Sequence, residues 1–114
     1  MSALFIRENK MQFKDYLATF PAIDHLSGLD VINSGEVMQH IPAIEGKLGS
    51  LRLYYALYEK FDGKLDATVA KQGIEWFAEH VEDAKANVGK HPNIDLLFKV
   101  IDNDLSLDLV PVEK

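Results

Sequence analysis

The sequence predicts a single α+β domain in which a small three-stranded antiparallel sheet carries about four helices packed on one face. Three observations lead there. The stretch Leu29–Ile41 alternates apolar and polar residues on either side of a glycine turn. A second alternating stretch, Leu105 to Leu109, lies near the end of the chain. Four other segments repeat apolar residues at i, i+3, i+4 and i+7, the spacing of one helix face. Two hairpin strands and a returning third, with helices covering one side, satisfy this pattern.

The first helix runs up to Pro21, with Phe13, Tyr16, Leu17 and Phe20 on one face and Lys14, Asp15 and Thr19 opposite. In the hairpin, Asn33-Ser34-Gly35 reads as a three-residue connection with Gly35 in the left-handed conformation, where lack of a Cβ removes the steric cost. That register puts Leu29, Val31, Val37 and Ile41 on the core face, with Asp30, Glu36 and His40 outward beside Ile32 and Met38. Ser50 is the expected N-cap of the next helix, LRLYYALYEKF, which is apolar around most of its circumference and therefore central. Asp66 caps a long helix whose apolar sector runs Ala70, Ile74, Phe77, Val81, Ala84 and Val88, with Gly73 at its edge permitting close helix approach. Gly89 ends it, and Pro92 with Asn93 starts the last helix, whose buried face is Ile94, Leu97, Phe98 and Ile101. In the final strand Leu105, Leu107 and Leu109 face the core, and Pro111 is expected to break the pairing.

Length and composition bound the function. The chain has 114 residues, room for one domain that buries roughly two thirds of its unfolded surface. With 47% hydrophobic residues it can build a core without cross-links. It contains no cysteine, which excludes disulfides, thiolate-held metals and thiol catalysis. Acidic residues outnumber basic ones 18 to 12, for a net charge of −6. Such a chain repels phosphate backbones, and its Lys and Arg are scattered singly, so nucleic acid is not an expected partner. No apolar run approaches the ~18 residues of a membrane span. The apolar core of MSALFIRENK is too short for a signal peptide, and its Arg follows that core. The expectation is a cytoplasmic protein without membrane contact. Met11 opens the first convincing helix, so residues 1–10 read as an N-terminal extension, Leu4 to Ile6 as a weak extra strand, and 11–114 as the domain.

Three constellations have the residue types for chemistry. His80 and Asp83 stand one helical turn apart, and His91 follows at the next corner; together they suit acid–base work or a metal. The competing reading is a rim histidine bonded to a local carboxylate, with Glu75, Glu79 and Glu82 forming a solvated face, and it is the more economical one. The loop Gly46-Lys47-Leu48-Gly49-Ser50, with Arg52 beyond it, can present N–H groups and two cations to an anion, although no phosphate-loop or dinucleotide-binding pattern is present. Its bland reading is a loop ending in a serine cap. Tyr54, Tyr55 and Tyr58, with Trp76 nearby, form an aromatic stripe that fits core better than a ligand pocket. His25 and His40 stand alone.

Four segments, MQFKDYLATFPAIDHLSGLDVIN (11–33), GSLRLYYAL (49–57), WFAEHVEDAK (76–85) and GKHPNIDLLFKVI (89–101), resemble a small family of uncharacterised proteobacterial proteins. The resemblance covers nearly the whole chain from Met11 and implies a stand-alone bacterial protein; it carries no activity, cofactor or site residue to transfer. The sequence thus supports a non-enzymatic protein-binding or regulatory module with no cofactor. Its open sheet edge is suited to a partner or a second copy, which gives a homodimer. The alternatives are a small metal-dependent or acid–base enzyme using His80, Asp83 and His91, and a small-anion binder using Lys47, Gly49, Ser50 and Arg52.

Overall fold

A computed structural model describes residues 11–114. The suggested strand at 4–6 and the proposed extension fall outside them. The described chain runs α1 (Phe13–Leu17), β1 (Leu26–Asn33), β2 (Glu36–Pro42), α2 (Leu48–Lys60), β3 (Lys64–Leu65), α3 (Ala67–Phe77), α4 (His80–Ala86), α5 (Pro92–Asp102) and β4 (Leu107–Glu113). The strands pair antiparallel in the order β2-β1-β4-β3. The class is α+β as expected, but with four strands and five helices instead of three and about four. Both additions have local causes. β3 is two residues long, too short to show a period of two. The fifth helix arises because the long one predicted over 66–88 is broken at Ala78.

The hairpin differs from expectation in two ways. Ser34 (φ 52°) and Gly35 (φ 87°) form a two-residue turn between the paired Asn33 and Glu36, tighter than the expected connection. Val31 then opposes Gln39 while Ile32 opposes Val37, which leaves Met38 as the extra residue of a β-bulge. The bulge swaps two side chains between faces. Val37 is 57% exposed, whereas Met38 packs against the core. Leu29, Val31 and Ile41 are fully buried, as the alternation required. Pro111 does not break the pairing either; it lies opposite Leu29 within β4. Leu109 donates its N–H to Gly63 on the β3 side, and Pro111, two residues on, turns its missing donor to the same edge, past the end of β3.

α2 lies across the sheet and touches all four strands, the central helix that its nearly continuous apolar surface demanded. Leu51, Leu53, Tyr54 and Leu57 are completely buried, and each of the three leucines contributes about 1.5–3 kcal/mol of transfer free energy. The helix begins at Leu48 with Lys47 as its cap residue, so Ser50 is its third residue and not its cap. α1 is also shorter than predicted, its tail closing in i→i+3 turns that carry the buried Phe20.

α3 starts as predicted, with an Asp66 carboxylate oxygen accepting the Val69 N–H at 3.0 Å. Gly73 is the crossing point of α3 with α5, since a Cβ there would stand 2.7 Å from a Leu97 methyl. Ala78 then takes φ 51°, ψ −120°, a region that L-residues rarely occupy. Helix α4 restarts at His80 in a new direction and ends at Ala86, with Asn87 as its cap residue. The apolar sector drawn for one long helix therefore fails at its far end, where Val88 is 86% exposed. Gly89 has the positive φ of a chain reversal but lies beyond the cap. No helix among the described residues is long and apolar enough to cross a membrane.

The backbone at Ala78 makes a direct prediction. A non-glycine residue in such a region costs on the order of 1–3 kcal/mol, more than the entropy glycine adds to the unfolded chain. Ala78→Gly is expected to raise the urea unfolding midpoint by a free-energy equivalent of about 1 kcal/mol. Glycine in a regular helix would instead lower it, and that result would contradict the break.

Candidate functional site

The corner between α4 and α5 is organised by Asp83. Its carboxylate binds His91 Nε2 at 2.7 Å and Lys90 Nζ at 3.0 Å through one oxygen, and the Asn87 amide at 2.9 Å through the other. The hydrogen bond from His91, then that from Lys90, hold its carboxyl down at about 2, with desolvation opposing them. The sequence had paired Asp83 with His80, one turn earlier. His80 turns instead toward α1, its ring edge-on to Phe13 with centroids 5.0 Å apart. The two imidazoles nevertheless converge, with centroids 6.1 Å apart.

α1 is held in this place by Glu79. Its carboxylate accepts the Phe13 N–H at 2.8 Å, so the residue read as part of a solvated face has a structural partner. Desolvation works to raise the Glu79 carboxyl, but hydrogen bonds from the Phe13 and Glu79 amides, with His80 nearby, leave it below its ordinary range. Phe13 stacks on Phe77 at 5.7 Å and meets the first turn of α2 at Gly49, where a Cβ would stand 3.1 Å from the phenylalanine ring. Gly49 thus serves close packing within the helix, not a loop wrapped around a ligand.

These contacts enclose an open cleft of about 440 Å³. It brings together the two constellations that the sequence had kept apart. Lys47, Gly49 and Ser50 from the start of α2 line one part; His80, Lys90 and His91 line another, with Phe13, Phe77 and Ile94 between. Arg52 does not join them. Its guanidinium donates to the carbonyls of Phe20 at 3.0 Å and Pro21 at 3.2 Å, tying down the chain after α1, and it borders a second hollow with Ala22 and Leu26.

Asn93, on the first turn of α5, is a cleft residue that sequence reasoning missed. It is 6% exposed. Its carboxamide oxygen accepts from Gln39, and its backbone carbonyl accepts the buried Tyr54 hydroxyl at 2.6 Å. With that oxygen occupied, what the side chain has left to offer is its N–H₂ donor. Burial pushes the Tyr54 hydroxyl up, so it remains protonated and donating. The other two tyrosines stand apart: Tyr55 and Tyr58 stack at 5.7 Å on a half-buried flank, with His25 3.3 Å from the Tyr55 hydroxyl. A tyrosine stripe can be read from the sequence, but a polar side chain pinned between a β-bulge and a helix start has no sequence signature.

Chemically, Asp83 orients the His91 imidazole, as the carboxylate of an acid–base pair does. Ser50 lines the same cleft, yet neither imidazole hydrogen-bonds to it among the described residues. Nor do three or more His, Asp or Glu side chains among those residues converge as metal ligands would. The Asp83 cluster has a measurable acid signature. Its carboxyl is depressed in the folded chain, so the unfolded chain binds the proton more readily and folding loses support as pH falls. That contribution is complete above the unfolded value of about 3.9 and disappears between there and about 2. Across that window the melting temperature of Asp83→Asn is expected to fall less than that of the unaltered chain. Equal falls would mean that the His91 and Lys90 contacts do not form in solution.

Comparison with known proteins gives a family and no close relative of known activity. No curated protein sequence and no solved structure matches the chain. Residues 13–111, nearly the whole chain, match the family model described as "Uncharacterized protein conserved in bacteria (DUF2322)". That span includes both helix starts, the Asp83 corner and every strand but the last residues of β4. The chain belongs to this family of uncharacterised bacterial proteins.

Proposed function

We propose that the chain is a binding module whose cleft between α1, α2 and α5 takes a small anion. One observation carries this reading: none of the residues lining the cleft is Asp or Glu, in a chain with net charge −6. What lines it instead is Lys47, Lys90, His80 and His91, with the Asn93 amide. The starts of α2 and α5 both open onto it, and neither has a side-chain cap. Uncapped N–H groups and the positive end of a helix favour negative charge. Asp83 stands behind His91 and Lys90 and offsets part of the Lys90 charge, while Lys47 makes no ion pair among the described residues. Lys47 is therefore the principal cation of the site.

A second reading concerns self-association. β2 has β1 on one side only, and its outer edge carries the exposed Val37. An unpaired edge with an apolar side chain supports pairing with a second copy. Light scattering after size exclusion is expected to give a dimer that Val37→Lys converts to monomer; a monomer at high concentration removes this reading.

The anion reading is tested by following backbone amides in an NMR titration with inorganic phosphate at constant ionic strength. Shifts are expected at Leu48, Gly49, Ser50 and Asn93, saturating together. Lys47→Glu is expected to weaken binding at least about tenfold, the size of a lost charge-assisted hydrogen bond. Shifts spread over exposed lysines and unchanged by Lys47→Glu would overturn the proposal.

A further inference from the structure

We infer that the anion this cleft favours is an organic one, a carboxylate or phosphate attached to a flat apolar body; the inference rests on the anion-binding reading above. The lining is divided in its chemistry. Beside the cations and N–H donors stands an aromatic layer, in which Phe77 stacks on Phe13 with planes 12° apart and His80 meets Phe13 edge-on. His91 continues the layer beyond His80. Ile94 adds an aliphatic wall, and Leu48 stands 46% exposed at the first position of α2 while lining the same space.

A bare inorganic anion has no use for such walls. It would fill a small part of a cleft of about 440 Å³ and leave Phe13 and Leu48 facing water. Sites of this size are typical of small organic ligands, with apolar walls for the body and a few polar groups to fix orientation. A flat ring against Phe13 gains both buried area and offset stacking, while the attached anion meets Lys47 and the Asn93 amide. Carboxylate and phosphate share this chemistry, and the choice of probes separates them.

The experiment is calorimetric titration of the full chain with acetate, inorganic phosphate, benzoate and phenyl phosphate, plus benzyl alcohol as a neutral control, at one pH and ionic strength. Benzoate is expected to bind at least about tenfold tighter than acetate, and phenyl phosphate likewise tighter than inorganic phosphate, as burial of a phenyl ring requires. Phe13→Ala is expected to remove that advantage. Because Phe13 anchors α1, Leu48→Gln serves as a second variant at a half-exposed position and is expected to reduce the advantage with the fold intact by circular dichroism. Equal affinity for phenyl phosphate and inorganic phosphate would overturn this inference and leave the anion reading standing. Binding of benzyl alcohol as tight as that of benzoate, or no binding by any probe, would overturn both.

Discussion

The structure depends on a buried polar junction where three elements meet. Tyr54 of α2 donates to the backbone carbonyl of Asn93, and Gln39 of β2 donates to the Asn93 side chain. Tyr54 is fully buried and Asn93 nearly so, and a buried polar group without a partner costs about 1–3 kcal/mol. Among the described residues no buried side-chain donor or acceptor is left unpartnered. Satisfying these groups together fixes the start of α5 against α2 and the bulged strand. The cleft opens beside this junction, so the same bonds that stabilise the interior set the spacing of its walls.

A second constraint acts from the opposite side. The turn at Ala78 interrupts what would otherwise be one helix, and the chain tolerates an unfavourable backbone conformation there. What the break achieves can be read from its neighbours. Glu79 is freed to receive the Phe13 amide, and His80 is set against the Phe13 ring. Without it α1 would lose its anchor and the cleft one aromatic wall. Strain at one residue and satisfaction at another thus converge on the same space.

Much of the fold was legible because it follows from periodicity. The central place of α2, the Asp66 cap, the close approach at Gly73 and the core side of β1 all follow from spacing and from the properties of single residues. On α5 the spacing finds Ile94 and Leu97, but Leu96 and Val100 take the fully buried places expected of Phe98 and Ile101, which are only partly covered. Most of what else escaped is non-periodic. The bulge at Met38 reverses Val37 and turns Met38 toward the core, while Gln39 keeps the face of Ile41. The break at Ala78 carries no glycine or proline to announce it. β3 is too short to leave a pattern. For the site, His80, His91, Lys47, Gly49 and Ser50 were each visible as candidates, but in two separate groups. Only the tertiary arrangement joins them, removes Arg52 to the α1 tail and adds Asn93 and Phe13. Asp83 was grouped with His80, one turn away, and with His91 at the next corner; its carboxylate meets His91, because a helical wheel cannot show where the next helix returns.

In an acidic chain, a cleft free of Asp and Glu and fixed by the Asn93 junction is proposed to receive an anion. Anomalous diffraction from a crystal soaked in selenate tests it most directly. A selenium peak is expected in the cleft, with its oxygens within hydrogen-bond distance of the Asn93 amide and the first-turn N–H groups of α2. Peaks confined to contacts between neighbouring molecules, with the cleft holding only water, would contradict it.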